Sequence, residues 1–245
     1  MENAFLVSLS HLSSLKREMD VIANNLANVN TDAYKSESVL FEEFISPLAE
    51  GGGKAPDVSF VLDYGLVRNI SVGNLVQTGS PLDVAITGEG YFAVQFKDQI
   101  AYTRNGNFTL NSSGELVTSD GNQILNADLR PIKIPPGSEL PDISADGTIS
   151  GPGQANQKLG VFSFENEQTL KKIGSNLFIS EEERVPVSKN KIHLVQGSVE
   201  TSNVQAVAEI TRMIEVMRKY QSAAKLTENE DELTRKAIDQ LSRVR

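Results

Sequence analysis

The sequence predicts an α+β protein, with long N- and C-terminal helices packing as a coiled coil, and with a central antiparallel β-rich domain. Three observations carry this reading. Apolar residues recur at helical spacing near the N-terminus. No proline or glycine interrupts residues 203–245. All nine prolines lie between Pro47 and Pro186, where short alternating or β-rich runs replace the helical pattern.

The N-terminal helix comes first. Leu12, Leu15, Met19, Ile22, Leu26 and Val29 follow a 3-4-3-4-3 spacing, an a/d heptad seam that Phe5 precedes and Ser8 interrupts. Its end is rich in amides, with four asparagines in Asn24–Asn30. Each asparagine costs a helix roughly 0.6 kcal/mol relative to alanine. Asn24, Asn25 and Asn28 fall beside the seam or away from it, and Asn30 suits the left-handed position of a helix stop. Residues 1–35 are read as this helix with its cap, and 36–78 as an extended connecting segment. The run "EGGGKAPD" (50–57) within that segment is its clearest flexible link.

Residues 79–195 form the expected β-rich domain. "VSFVLD" (58–63), just before it, and "LDVAIT" (82–87), "YFAVQF" (91–96) and "LGVFSF" (159–164) read as strands. Asn105-Gly106, Asp120-Gly121 and Asp146-Gly147 read as hairpin turns. Residues 196–245 close the chain as a second helix. Ser202–Gln205 fits a capping box. Val207, Ile210, Ile214 and Met217 form one stripe, with Met213, Val216 and Tyr220 beside it.

At about 1.5 Å per residue, the two helices would span roughly 40 and 60 Å. A compact β domain of this size has a radius of gyration of only about 15 Å. Apolar seams that project beyond it must be buried. The pattern alone leaves open an intramolecular helical hairpin, a coiled-coil dimer or a larger assembly.

Composition narrows the function classes. The chain has 245 residues, a net charge of -9 and no cysteine. Thiolate zinc sites, disulfides and cysteine catalysis are excluded. The acidic balance, without a lysine or arginine cluster, argues against nucleic-acid binding. No apolar run reaches the ~18 residues of a membrane span. The start lacks a basic n-region and a small-residue cleavage site, so no cleaved signal peptide is expected.

Candidate chemical motifs fail on spacing. The glycines before Lys54 lack the Walker arrangement, with Leu48 and Ala55 at the diagnostic positions. "TGEGYF" (87–92) reads as a turn between strands. "DISADG" (142–147) opens like a calcium loop but has Gly153 where a bidentate glutamate belongs. His11 lies off the helical seam, and His193 lies in "KIHLV", read as a strand. No catalytic, cofactor or metal residues are assigned.

Three segments, in order, carry a family resemblance. "DVIANNLANVNTDAYK" (20–35) resembles the N-terminal signature of the flagellar rod and hook proteins. "SPLDVAITGEGYFAV" (80–94) and "YTRNGNFTLNSSGELVTSDGNQIL" (102–125) resemble their central segment. "VQGSVETSNVQAVAEITRMIEVMRKYQSAAKL" (195–226) resembles their C-terminal signature. "PIKIPPGSELPDISADGTISG" (131–151), "LTENEDE" (226–232) and the opening "MENAFLVSLS" are more similar to the proximal-rod branch. Two departures stand out. Ala33 replaces a usual glycine, so it must either relax its backbone or bear strain. Gln221 stands where glutamate is common.

The resemblance implies a structural subunit, exported unprocessed by the flagellar type III apparatus. It would assemble in the periplasm with copies of itself and other rod proteins into the basal-body drive shaft. It implies no cofactor and no membrane insertion. On this reading the assembly residues are Leu12, Leu15, Met19, Ile22, Leu26 and Val29, packing on Val207, Ile210, Ile214, Met217 and Tyr220 and on neighbouring subunits. Asn25, Asn28 and Asn203 are the candidates for fixing register by hydrogen bonds. A distal-rod or hook-type subunit is the nearer alternative. A secreted β-rich binding module or hydrolase, dimerised by its helices, is the remoter one.

Overall fold

A computed structural model describes residues 2–46, 58–135, 140–151, 157–181, 184–187 and 192–243. The expected flexible link at 50–57 and the Walker-like glycines lie outside the described residues. The chain is α+β and divides into two compact units.

The first unit holds both helices and a two-stranded ribbon. Helix α1 spans Glu2–Ala27 and helix α2 spans Ala206–Arg243. Strands β1 (Glu37–Ser46) and β2 (Val58–Arg68) pair antiparallel, with a bulge between Leu40 and Phe41. The expected strand at 58–63 forms as part of β2, its partner β1 lies in residues read only as connecting, and α1 packs against the ribbon they make. The helices meet through buried Leu15, Ile22 and Val216, joined by Met19, Met213, Tyr220 and Ala223. Arg212 adds an ion pair to Glu18 at 2.9 Å.

This pairing corrects the expected one. The α1 seam packs on the stripe containing Val216, while Val207, Ile210, Ile214 and Met217 are exposed. Two a/d stripes lie side by side on α2, and one partner helix covers only one of them. Leu12 and Leu26 are half-buried. Val29 lies beyond the end of α1 and is half-buried there.

The second unit comprises residues 28–36 and 69–203. Its main sheet is antiparallel, in the order Lys171–Gly174, Leu177–Ile179, Gln99–Thr103, Tyr91–Phe96, Gln123–Ile124, Leu116–Thr118, Phe108–Leu110. Val161–Ser163 pairs onto Tyr91–Phe96 as well. The run "YFAV" is apolar throughout because both its faces are buried. Phe92 and Val94 enter one core with Ile86, Phe108, Leu116 and Ile132. Tyr91 and Ala93 enter another with Tyr102, Phe162, Phe164 and Phe178. Edge-to-face rings hold the second core, with Tyr102 and Phe164 centroids 4.7 Å apart.

Two of the three expected hairpins form. Gly121 and Gly147 turn with φ of 84° and 85° between paired strands. Asn105-Gly106 does not make a hairpin, because the strands flanking it pair elsewhere. Gly106 is needed there for close approach: a Cβ would meet the Val84 carbonyl oxygen at 1.7 Å. His193 precedes the strand Leu194–Gln196 rather than lying within it.

Helix α2 begins at Ala206, so the capping box at Ser202–Gln205 is not used. The reason is tertiary. The Asn203 backbone N–H donates to Tyr34 O at 3.2 Å, and that of Thr201 to Asn74 O at 2.8 Å. These bonds keep the residues extended.

Candidate functional site

Helix α1 stops at Ala27, and the chain runs on through segment 28–36 of the second unit. Two turns shape this segment, with Thr31 N–H donating to Asn28 O and Tyr34 N–H to Thr31 O. The left-handed residue is Ala33, with φ 57°, rather than Asn30. Ala33 is buried, and its N–H donates to Glu200 O at 2.8 Å. It therefore keeps a glycine-like conformation and bears the strain, about 1–2 kcal/mol for a residue with a Cβ.

The neighbours of Ala33 are anchored as firmly. The Asn176 side-chain amide donates to Asp32 O at 2.8 Å. Tyr34 is buried, with Lys172 Nζ 4.5 Å from its ring centroid. Burial, and then the charge of Asp83, push the Asp32 carboxyl above its ordinary range.

At the centre is a buried ion triad. Glu200, 1% exposed, receives Lys35 Nζ on one oxygen and Arg104 Nε on the other at 3.0 Å. The Gly73 N–H also donates to it, at 2.9 Å. Lys35 donates further to Ser71 O at 2.7 Å. The Arg104 guanidinium reaches Gly90 O at 2.9 Å and Gly88 O at 2.8 Å, and lies over the Tyr91 ring. "TGEG" thus supplies carbonyls to an arginine rather than amides to a phosphate. Burial alone would raise the Glu200 carboxyl. Arg104, Lys35 and the Gly73 amide outweigh it and hold it below the ordinary value. Burial first, with the charge of Arg104, lowers the Lys35 ammonium against the opposing effect of Glu200. One buried carboxylate shared by two cations ties three distant segments together.

Sequence reasoning missed this triad. Each member lies in a different motif segment: Lys35 ends the first, Arg104 sits in "YTRNGNF" and Glu200 in "VQGSVETSN". A charged residue near the middle or end of each otherwise apolar or amide-rich motif was the available signal.

The asparagine candidates fare differently. Asn25 is buried at 2% exposure in the first unit. Its Nδ2 donates to Glu37 O at 2.8 Å, and its Oδ1 accepts the Glu37 N–H at 3.0 Å. It brackets one residue, pairing both the N–H and the C=O of Glu37, as a neighbouring strand would. Asn203, in the second unit, accepts the Ser36 N–H at 2.8 Å and donates to Asn69 O and Ser71 O. Asn28 accepts from Thr31 Oγ1 at 3.2 Å. Asn25 and Asn203 are thus engaged within the chain, on successive peptides. Among the described residues no cluster of histidine and carboxylate side chains is arranged to hold a metal ion. No described helix is long and apolar enough to cross a membrane.

Three family models match the chain: flagella basal body rod protein over residues 5–35, the flagellar hook protein FlgE/F/G D1 domain over 85–151, and the flagellar basal body rod FlgEFG protein C-terminal over 195–240. The flagellar basal-body rod protein FlgF of Caulobacter vibrioides is 37% identical over 245 residues, covering 100% of both chains. The chain belongs to the flagellar basal-body rod protein family. The rod protein FlgG of Bacillus subtilis is 34% identical, over 94% of this chain and 96% of its own. FlgF of Mesorhizobium japonicum is 32% identical over 92% of each. As a rod family member, the chain is a structural subunit of the flagellar basal body. Lys35, Arg104 and Glu200 each fall inside a segment that a family model matches.

Proposed function

We propose that the chain is a proximal rod subunit, exported by the flagellar type III apparatus. In the periplasm it assembles with its own copies and with other rod proteins. Residues 1–35 and 196–245 are its axial parts, and 79–195 its central β-rich domain. In the assembled rod, α1 and α2 pack as coiled coils with neighbouring helices. Its role is structural rather than catalytic.

The observation that carries this reading is the uncovered seam on α2. Val207, Ile210, Ile214 and Met217 repeat at 3-4-3 spacing, and Val207 is 79% exposed. A monomer gains nothing from such a stripe. Buried by neighbours, each side chain is worth about 1.5–3 kcal/mol. The end-to-end match to FlgF relatives supports the proximal assignment.

Sedimentation tests it. The tagged chain should pellet with purified basal bodies, and should still do so in cells whose rods stall before distal subunits are added. A chain found only in the soluble periplasm would overturn the rod-subunit role. One that appears only once distal subunits are present would favour a FlgG-type distal position, the reading that the 34% match to FlgG supports.

A further inference from the structure

Two apolar faces of the helix-bearing unit are uncovered within the chain, and they differ in shape. One belongs to the ribbon. Along β1, alternation places Ser38, Leu40, Glu42 and Phe44 on one face and Val39, Phe41 and Glu43 on the other. Helix α1 packs on the ribbon, and Val39, Phe41 and Val61, the partner of Glu43, are half-buried. Leu40, Phe44 and Val67, the partner of Ser38, are exposed on the other face. The ladder sets Leu62 opposite Glu42 and Phe60 opposite Phe44. The second uncovered face is the Val207–Ile210–Ile214–Met217 stripe of α2.

We propose that the Leu40/Phe44/Val67 face of one copy receives the α2 stripe of a second copy. The proposal rests on the rod-subunit reading only in taking the partner to be another copy of this chain. A two-stranded ribbon is marginal in water unless its faces are covered. One face already carries a helix, so a second helix completes a helix–ribbon–helix sandwich. The chain's own α2 is bound through Val216 to α1, which packs on that ribbon. The lengths agree: Leu40 to Phe44 spans about 13 Å of strand, and Val207 to Met217 about 15 Å of helix. The charges agree as well. Glu42 is exposed between Leu40 and Phe44, and exposed Arg218 follows Met217 on the stripe's side of α2. Joining two different faces leaves one of each free when a single contact forms between two copies, so further copies can add at both ends.

The chain has no cysteine, so single thiols report the contact directly. Full-length Phe44→Cys and Ile214→Cys chains, checked for native circular dichroism, would be mixed at high concentration with a short bismaleimide linker. The same pair would be co-expressed and cross-linked in isolated basal bodies. The expected result is a cross-linked pair in the mixture and in basal bodies, at least tenfold above either variant alone. Glu42→Arg in the first chain should lower the yield several-fold, and Arg218→Glu in the second should restore it. Equal yield from either variant alone, capture of a different protein in basal bodies, or no product in either setting would overturn the proposal. Pelleting of the wild-type chain with basal bodies is read separately. The face pairing can therefore fail while the rod reading stands, and the reverse.

Discussion

Ala33 holds a left-handed conformation in a buried segment, which makes it the simplest residue to test. Glycine there would remove about 1–2 kcal/mol of steric strain and return about 0.4–1 kcal/mol of unfolded-chain entropy. Ala33→Gly should therefore stabilise the protein by roughly 0.5–1 kcal/mol, read as a higher urea midpoint at unchanged slope. The triad makes a sharper prediction. Glu200→Gln leaves two buried cations without a counter-charge and should cost about 3–5 kcal/mol. Lys35→Met leaves the Arg104–Glu200 pair neutral and should cost clearly less. The pH dependence follows the sign of the Glu200 shift. Its folded value lies below 4.5, so its stabilisation is present above that pH and is lost as pH falls through the folded value. Glu115 acts in the same direction. Hydrogen bonds from Lys133, Asn111 and Gln123 hold it at about 2. Asp32, raised from 3.8, acts in the opposite direction. The acid limb of the stability curve below pH 4.5 should therefore flatten in Glu200→Gln, with the contribution of Glu115 remaining. An unchanged acid limb in that variant would remove Glu200 as its source. The Ala33 strain was legible in the replaced glycine, but the triad was not legible from spacing. Lys35, Arg104 and Glu200 are far apart in sequence, and only the folded β domain brings them together.

At the scale of elements, amide placement explains why α1 ends as it does. Asn25 weakens the isolated helix, yet it satisfies both polar groups of the Glu37 peptide at the start of β1. Alanine would recover roughly 0.6 kcal/mol of propensity and leave buried groups unpaired at about 1–3 kcal/mol. Asn25→Ala should thus destabilise the folded chain by about 1–2 kcal/mol, measured by denaturant titration of the monomer. A gain in stability would return Asn25 to a purely intermolecular role. Helices, the α+β class and strands such as 91–96 were legible because their apolar period is long or unbroken. Which α2 stripe meets α1 was not. Both stripes satisfy the same 3-4 spacing, and choosing between them depends on where α1 is held. The cap of α2 was misread for a related reason. Ser202–Gln205 has the local pattern, but Asn203 and Thr201 are engaged by residues more than a hundred positions away.

For the whole molecule, folding and assembly draw on different stripes of one helix, so they can be separated by mutation. Val216, 2% exposed, holds α2 to α1. Val216→Asp would bury an unpaired carboxylate, and it should loosen the helix pair and lower helical signal in the monomer. Ile214 is 47% exposed, and Ile214→Glu adds a charge where water already reaches. It should change monomer stability by no more than about 0.5 kcal/mol. In an assembled rod the same glutamate would be desolvated against an apolar neighbour, so incorporation and motility should be lost. Motility plates, basal-body blots and denaturation of the purified chain read the two effects side by side. A motile Ile214→Glu strain with normal incorporation would show that this stripe stays wet in the rod. A monomer unfolded by Ile214→Glu would show that the stripe serves the fold. If the monomer is stable and the rod is lost, a helix with two apolar stripes has one for its own chain and one for its neighbours.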